Sequence, residues 1–118
     1  MKRYIFCKTT FEGLHCWKDI LDTEECQYLK NYHRHIFHIE VVIPVYHSDR
    51  NIEFIELKHR VNDFLTTIFP NKINNIPYMG TTSCELLAEL ILTHFNADKV
   101  SVSEDNENGS IVLQGFLK

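Results

Sequence analysis

The chain is expected to fold as an α+β domain: a four-stranded antiparallel sheet with two helices on one face, in the order strand, strand, helix, helix, strand, strand. Three observations carry this. Four stretches read as strands, with apolar residues on both faces. Two consecutive stretches, near 54–68 and 82–95, repeat apolar residues at helical spacing. Between the last two strands, Asn108-Gly109 offers the positive φ angles that a tight hairpin turn requires.

The first strand is predicted over Arg3 to Glu12, with Ile5, Cys7, Thr9 and Phe11 on one face and Tyr4, Phe6, Lys8 and Thr10 on the other. Gly13 is expected to break it and release His15. Asp19, Asp22, Glu24 and Glu25 mark a polar connection, with one helical turn around Cys26 to Leu29. The second strand runs from His33 to Tyr46, carrying His35, Phe37, Ile39 and Val41 on one side and Ile36, His38, Glu40 and Val42 on the other. Pro44 should make its far end an edge or a bulge. After a turn at His47 to Asn51, the residues Phe54, Leu57, Val61, Phe64, Leu65 and Ile68 define an amphipathic helix that Pro70 stops.

Phe69 to Gly80 reads as a loop. Thr82 to Glu85 has the spacing of a capping box, and the second helix is expected to bury Leu86, Leu87, Leu90, Ile91 and Phe95. Strands over Lys99 to Glu104 and Ser110 to Phe116 complete the order. Two consecutive helices cover only one face of such a sheet, yet the strands carry apolar residues on both. A homo-oligomer that covers the second face is therefore expected.

The 118 residues form one expected domain, 1–118, with the 44% hydrophobic and 24% charged fractions of an ordinary globular protein. A net charge of -4 and a pI near 5.9 argue against a general nucleic-acid binder, which needs clustered Lys and Arg. Cys7, Cys16, Cys26 and Cys84 form no CxxC pair and read as free thiols in a reducing cytoplasm. No apolar stretch is long enough for a signal peptide or a membrane span, so a cytoplasmic protein is expected.

His33 and His35 project from the same strand face about 7 Å apart, close enough to hold one metal ion. His15 could supply a third nitrogen. Three neutral imidazoles leave one tetrahedral position open, the arrangement of a working zinc rather than a structural one. Taken singly, each of these histidines reads equally as a partly buried strand residue.

In this order the motifs resemble those of the tunnelling-fold pterin synthases, the 6-pyruvoyl- and 6-carboxy-tetrahydropterin synthases. Phe11-Glu12-Gly13-Leu14-His15 is similar to the family's Phe-x-Ala-Ala-His, and His33-Arg34-His35 to its His-Gly-His. Ile52 to Lys58 resembles Ile-Asp-Phe-x-x-Leu-Lys, Ser83 to Ala88 resembles Thr-x-Glu-x-x-Ala, and Val100 to Glu104 resembles Val-x-Val-x-Glu. The resemblance implies zinc on His15, His33 and His35. It also implies a ββααββ subunit whose sheets join into an oligomeric barrel, trimer-based, with a hexamer the first expectation and a tetramer the second. It gives Glu104 the role of anchoring a pterin ring, and a carboxylate can accept the ring's adjacent N–H and NH2 with parallel bonds.

The chain departs from the pattern in the groups that move protons. The family's Asp-His pair falls on Phe69 and Pro70, which can neither take nor give a proton. Cys26, the counterpart of the catalytic cysteine, precedes His33 by a longer gap than the family's. Arg34 replaces the glycine between the histidines and points away from their face. Of the other histidines, His38 lies on the opposite strand face, His47 in a turn, and His59 and His94 on helices. Two functions are consistent with these residues. One is a zinc-dependent synthase-type lyase acting on a reduced pterin such as dihydroneopterin triphosphate. The other is a protein that holds a pterin, purine or nucleotide-like ligand without converting it.

Overall fold

The computed structural model describes residues 1–20 and 27–115. Its framework is a long hairpin of two 13-residue strands, β1 (Arg3–His15) and β2 (His33–Val45), paired without interruption from Arg3↔Val45 to His15↔His33. β5 (Lys99–Glu104) pairs antiparallel with the middle of β2, and β6 (Asn108–Leu113) pairs with β5, giving the sheet order β1-β2-β5-β6. Between the two halves lie α1 (Phe54–Ile68), a small hairpin of β3 (Lys72–Ile73) and β4 (Ile76–Pro77), and α2 (Cys84–Phe95). The α+β class, the four antiparallel strands and the two helices are as the sequence predicts.

Both helices lie on one sheet face. Leu57, Val61 and Leu65 of α1 and Leu87, Ala88 and Ile91 of α2 are buried against Cys7, Phe37, Ile39, Val41, Val100 and Val102 in one hydrophobic core. Burying side chains of this size contributes about 1.5–3 kcal/mol each, so this face fixes the strand register. The opposite face exposes Tyr4, Phe6, Ile111 and Leu113, interleaved with the ion pair of Lys8 and Glu40.

Several boundaries differ from expectation, each for a physical reason. Gly13 does not break β1: it pairs with His35, and the space a side chain would fill is taken by Met79. The strand therefore continues to His15 with His15 on the same face as Phe11. The stretch Phe69 to Gly80 is not wholly loop, because Asn74 and Asn75 both adopt positive φ (52° and 65°) and turn the β3–β4 hairpin. In the β5–β6 connection the positive φ angles belong to Asp105 and Asn106. Gly109 instead sits in β6, where an added Cβ would overlap the carbonyl oxygen of Val102.

The N-cap of α2 is Ser83, whose Oγ accepts from Leu86 N at 3.1 Å, one residue later than the predicted Thr82. Leu86 and Leu90 are exposed, and Phe54 of α1 is exposed as well. The helix Cys84–Phe95 is apolar on more than one side, so spacing alone does not choose its buried face. The turn expected around Cys26 to Leu29 is a 3-10 turn at Gln27–Lys30, while Cys26 lies outside the described residues. β6 ends at Leu113, and Phe116 also lies outside them. Beyond Val42, β2 has no β5 partner, so Pro44 sits where the strand is an edge. Among the described residues no helix is long and apolar enough to cross a membrane.

Candidate metal centre

The β1–β2 register brings the three expected histidines together. His15 pairs with His33, and Gly13 with His35, so all three side chains emerge on the helix-covered face at the end of the hairpin from which the β1–β2 connection leaves. Their ring centroids are 4.6 Å (His15–His33), 5.0 Å (His33–His35) and 5.2 Å (His15–His35) apart. One ligating atom from each can be chosen so that all lie within 4.8 Å of one another, which suffices for one ion after small side-chain rotations. Fully buried Phe37 is the floor, edge-on to the rings of His15 and His35 at 5.3 and 5.8 Å.

Each ring is held by its Nδ1. His15 Nδ1 lies 2.8 Å from the carbonyl oxygen of Thr82, and His33 Nδ1 lies 2.9 Å from that of Asn31. His35 Nδ1 lies 2.7 Å from Asp105 Oδ2. A carbonyl or carboxylate oxygen can only accept, so each Nδ1 carries a proton and donates it, and in the neutral ring Nε2 presents a lone pair. Such outer hydrogen bonds set the tautomer and orientation of metal-binding histidines. The Thr82 carbonyl reaches His15 because Met79 N donates to Leu14 O and Cys16 N donates to Gly80 O, lashing the segment before α2 to the end of β1.

Asp105 is fixed on both sides. Its Oδ1 accepts from Ile36 N at 2.9 Å, and its own N donates to Ile36 O at 2.8 Å. The hydrogen bond from His35, then that from Ile36, holds its carboxyl below the usual carboxylate range. Burial, outweighing the bond to Asn31, pushes His33 below the ordinary imidazole value and so favours the neutral form that a metal needs.

Glu104 ends β5 opposite Phe37 and turns its carboxylate into the same cluster. Its Oε2 lies 2.9 Å from His15 Nε2 and 3.5 Å from His35 Nε2. Yet among the described residues His15 Nε2, a buried polar atom, has no hydrogen-bond partner. With the proton on Nδ1, the facing nitrogen and oxygen of a neutral ring and a carboxylate each offer a lone pair, which accounts for the missing hydrogen bond but not for so short an approach. A proton could bridge one such pair, whereas a metal ion satisfies all the converging donors at once. On that ground the residues fit a metal ion.

The structure thus brings His15, His33, His35 and Glu104 together. Asp105, and the carbonyls of Thr82 and Asn31, complete the setting. Sequence reasoning missed Asp105 as a functional residue because it reads as a turn residue. Its signal lies in the register, since the residue after Glu104 falls opposite Ile36 and therefore beside His35. Arg34 is on the other face, as expected, and pairs with Glu12.

The remaining acid–base candidates stay apart. His38 faces the uncovered side between Thr10 and Ser103, and His94 is stacked on Phe64 at 4.1 Å. Phe69 is buried and packs on Phe11 with centroids 5.9 Å apart, and Pro70 is exposed. Burial, then the charges of Glu104 and Glu85, pushes the Cys84 thiol up to about 12, so it is no thiolate.

No family model matches the sequence, and no curated protein does. Among solved structures, an uncharacterized protein from Wolinella succinogenes has a similar fold. The TM-score is 0.62 at 12% identity, covering 98% of this chain and 99% of that one. The two proteins share an architecture along nearly their whole lengths, and at that identity the likeness is one of fold.

Proposed function

We propose that this chain is a zinc-dependent protein of the tetrahydropterin-synthase type, acting on a reduced pterin such as dihydroneopterin triphosphate. One observation carries the reading: three histidine rings, each held by a hydrogen bond at Nδ1, bring one possible ligating atom apiece within 4.8 Å of one another beside a carboxylate at the end of β5. His15, His33 and His35 would hold the ion. When bound, zinc supplies a Lewis acid that polarises side-chain oxygens of the ligand. Glu104 offers two acceptor oxygens to the adjacent N–H and NH2 of a pterin ring. Phe37 closes the floor against water.

The same reading makes the protein a homo-oligomer of tunnelling-fold subunits whose sheets join into a barrel. The exposed Tyr4, Phe6, Ile111 and Leu113 on the uncovered face, and the edge of β6 that no strand among the described residues pairs with, support it.

A second reading is favoured by Phe69 and Pro70, which put a core side chain and an imino acid where the family has its proton-transfer pair. General acid–base groups contribute about 10²–10⁴-fold each, so a chain without them is suited to holding a pterin or purine-like molecule unchanged. Incubating zinc-loaded protein with dihydroneopterin triphosphate separates the two. The synthase reading expects a new pterin product that is lost in His33→Ala. Recovery of intact substrate from a stable complex would replace it with the holding reading.

A further inference from the structure

We infer that Glu104 is itself the fourth ligand of the metal site in the ligand-free protein, so that the centre is closed by its own chain and opens only when a ligand takes the carboxylate away. The inference rests on the metal reading above and changes what Glu104 does within it. A carboxylate waiting for a heterocycle should face the space the ring will enter. Glu104 instead turns Oε2 between two of the metal-facing nitrogens.

The distances suit a ligand. Zinc bonds of about 2.0–2.1 Å to nitrogen and oxygen place the corners of a tetrahedron about 3.3 Å apart. Glu104 Oε2 lies 2.9 Å and 3.5 Å from His15 Nε2 and His35 Nε2, on either side of that edge length. Its backbone is fixed by pairing with Phe37, and the next residue, Asp105, is tied to Ile36 by two hydrogen bonds. Consecutive carboxylates therefore address the two nitrogens of one ring: Asp105 takes Nδ1 of His35, and Glu104 approaches its Nε2. A proton shared between Nε2 and the carboxylate, carried by either partner, would be the alternative, but the contact at His15 lacks hydrogen-bond geometry.

Recognition and coordination then become linked. A ligand presenting adjacent N–H and NH2 donors competes for the carboxylate, and its release frees the fourth position for an oxygen of that same ligand. Molecules without the donor pair find no open position. No bond is made or broken beyond the exchange of one metal ligand for another.

Cobalt-substituted protein tests this by its visible spectrum, with azide as the probe of an open position. The closed centre predicts that wild-type cobalt protein binds one ion per chain and keeps its spectrum at azide concentrations that saturate Glu104→Gln. Glu104→Asp, which keeps the charge and withdraws the carboxylate by one methylene, should respond to azide like Glu104→Gln. Glu104→Gln should also bind zinc at least tenfold more weakly. A wild-type spectrum that shifts with azide as the variants' spectra do overturns the inference and leaves the three-histidine site standing. Wild-type protein that is folded and takes up no cobalt overturns both.

Discussion

Replacing Asp105 with Asn isolates how the outer hydrogen bonds prepare the histidines. The substitution is nearly isosteric, and Asn tolerates the positive φ of 53° at this turn position as Asp does. The carboxylate uses one oxygen for Ile36 N–H and the other for His35 Nδ1–H. An amide has only one oxygen. If it keeps the Ile36 bond, its NH2 group faces His35, and the ring satisfies it by moving its proton to Nε2. That proton removes the lone pair a metal would use. Outer partners of this kind contribute 10–100-fold to metal affinity, about 1.4–2.7 kcal/mol. The Asp105 side chain is 44% exposed, so water can serve the freed donor and the stability of the metal-free protein should change by less than about 1 kcal/mol. Competition against a chromophoric chelator measures the affinity, and urea unfolding of the metal-free protein measures the stability. Zinc affinity within twofold of wild type would refute the tautomer argument.

Gly109→Ala should destabilise the fold by about 1–3 kcal/mol in urea unfolding, because the new Cβ would overlap the Val102 carbonyl oxygen and come 2.5 Å from Ser103 Cα, backbone that cannot yield without opening β5–β6. The same opening shifts Glu104, so metal affinity should fall with stability. Cys84 gives a pH dependence of definite sign. Its folded thiol titrates at about 12 against an ordinary 9.0, so the folded state keeps the proton longer. The stability it contributes is complete below pH 9.0 and lost as pH rises toward about 12, and Cys84→Ala should remove that part of the alkaline slope. A slope unchanged in the variant would contradict the burial argument.

Much of the centre was legible because strand geometry is regular. Alternation alone puts His33 and His35 on one face, and the apolar residues beyond them, Phe37, Ile39 and Val41, say which face is inward. His15 offers a third nitrogen by residue type, and the resemblance strengthens its place beside them, since Gly13 reads as a strand breaker until Met79 is seen lying against it. What the sequence does not encode locally stayed hidden. The carbonyls of Thr82 and Asn31 belong to the backbone and have no residue signature. Asp105 carries the composition of any turn, and only the pairing of Phe37 with Glu104 reveals its neighbour. In α2, Ser83 and Thr82 are equally good caps by type, and the choice follows from Thr82 lending its carbonyl to His15. Leu86 and Leu90 read as core residues because hydrophobicity, without the partner sheet, cannot orient a helix that is apolar on several sides.

His15, His33 and His35 are proposed to hold one metal ion, their rings oriented by Thr82, Asn31 and Asp105. Equilibrium dialysis against zinc, followed by elemental analysis of the folded protein, tests it most directly. The expected result is one zinc ion per chain in wild type and its loss in both His15→Ala and His33→Ala at the same free zinc concentration. Folded wild-type protein that retains no zinc, or His33→Ala protein that retains as much as wild type, would contradict it.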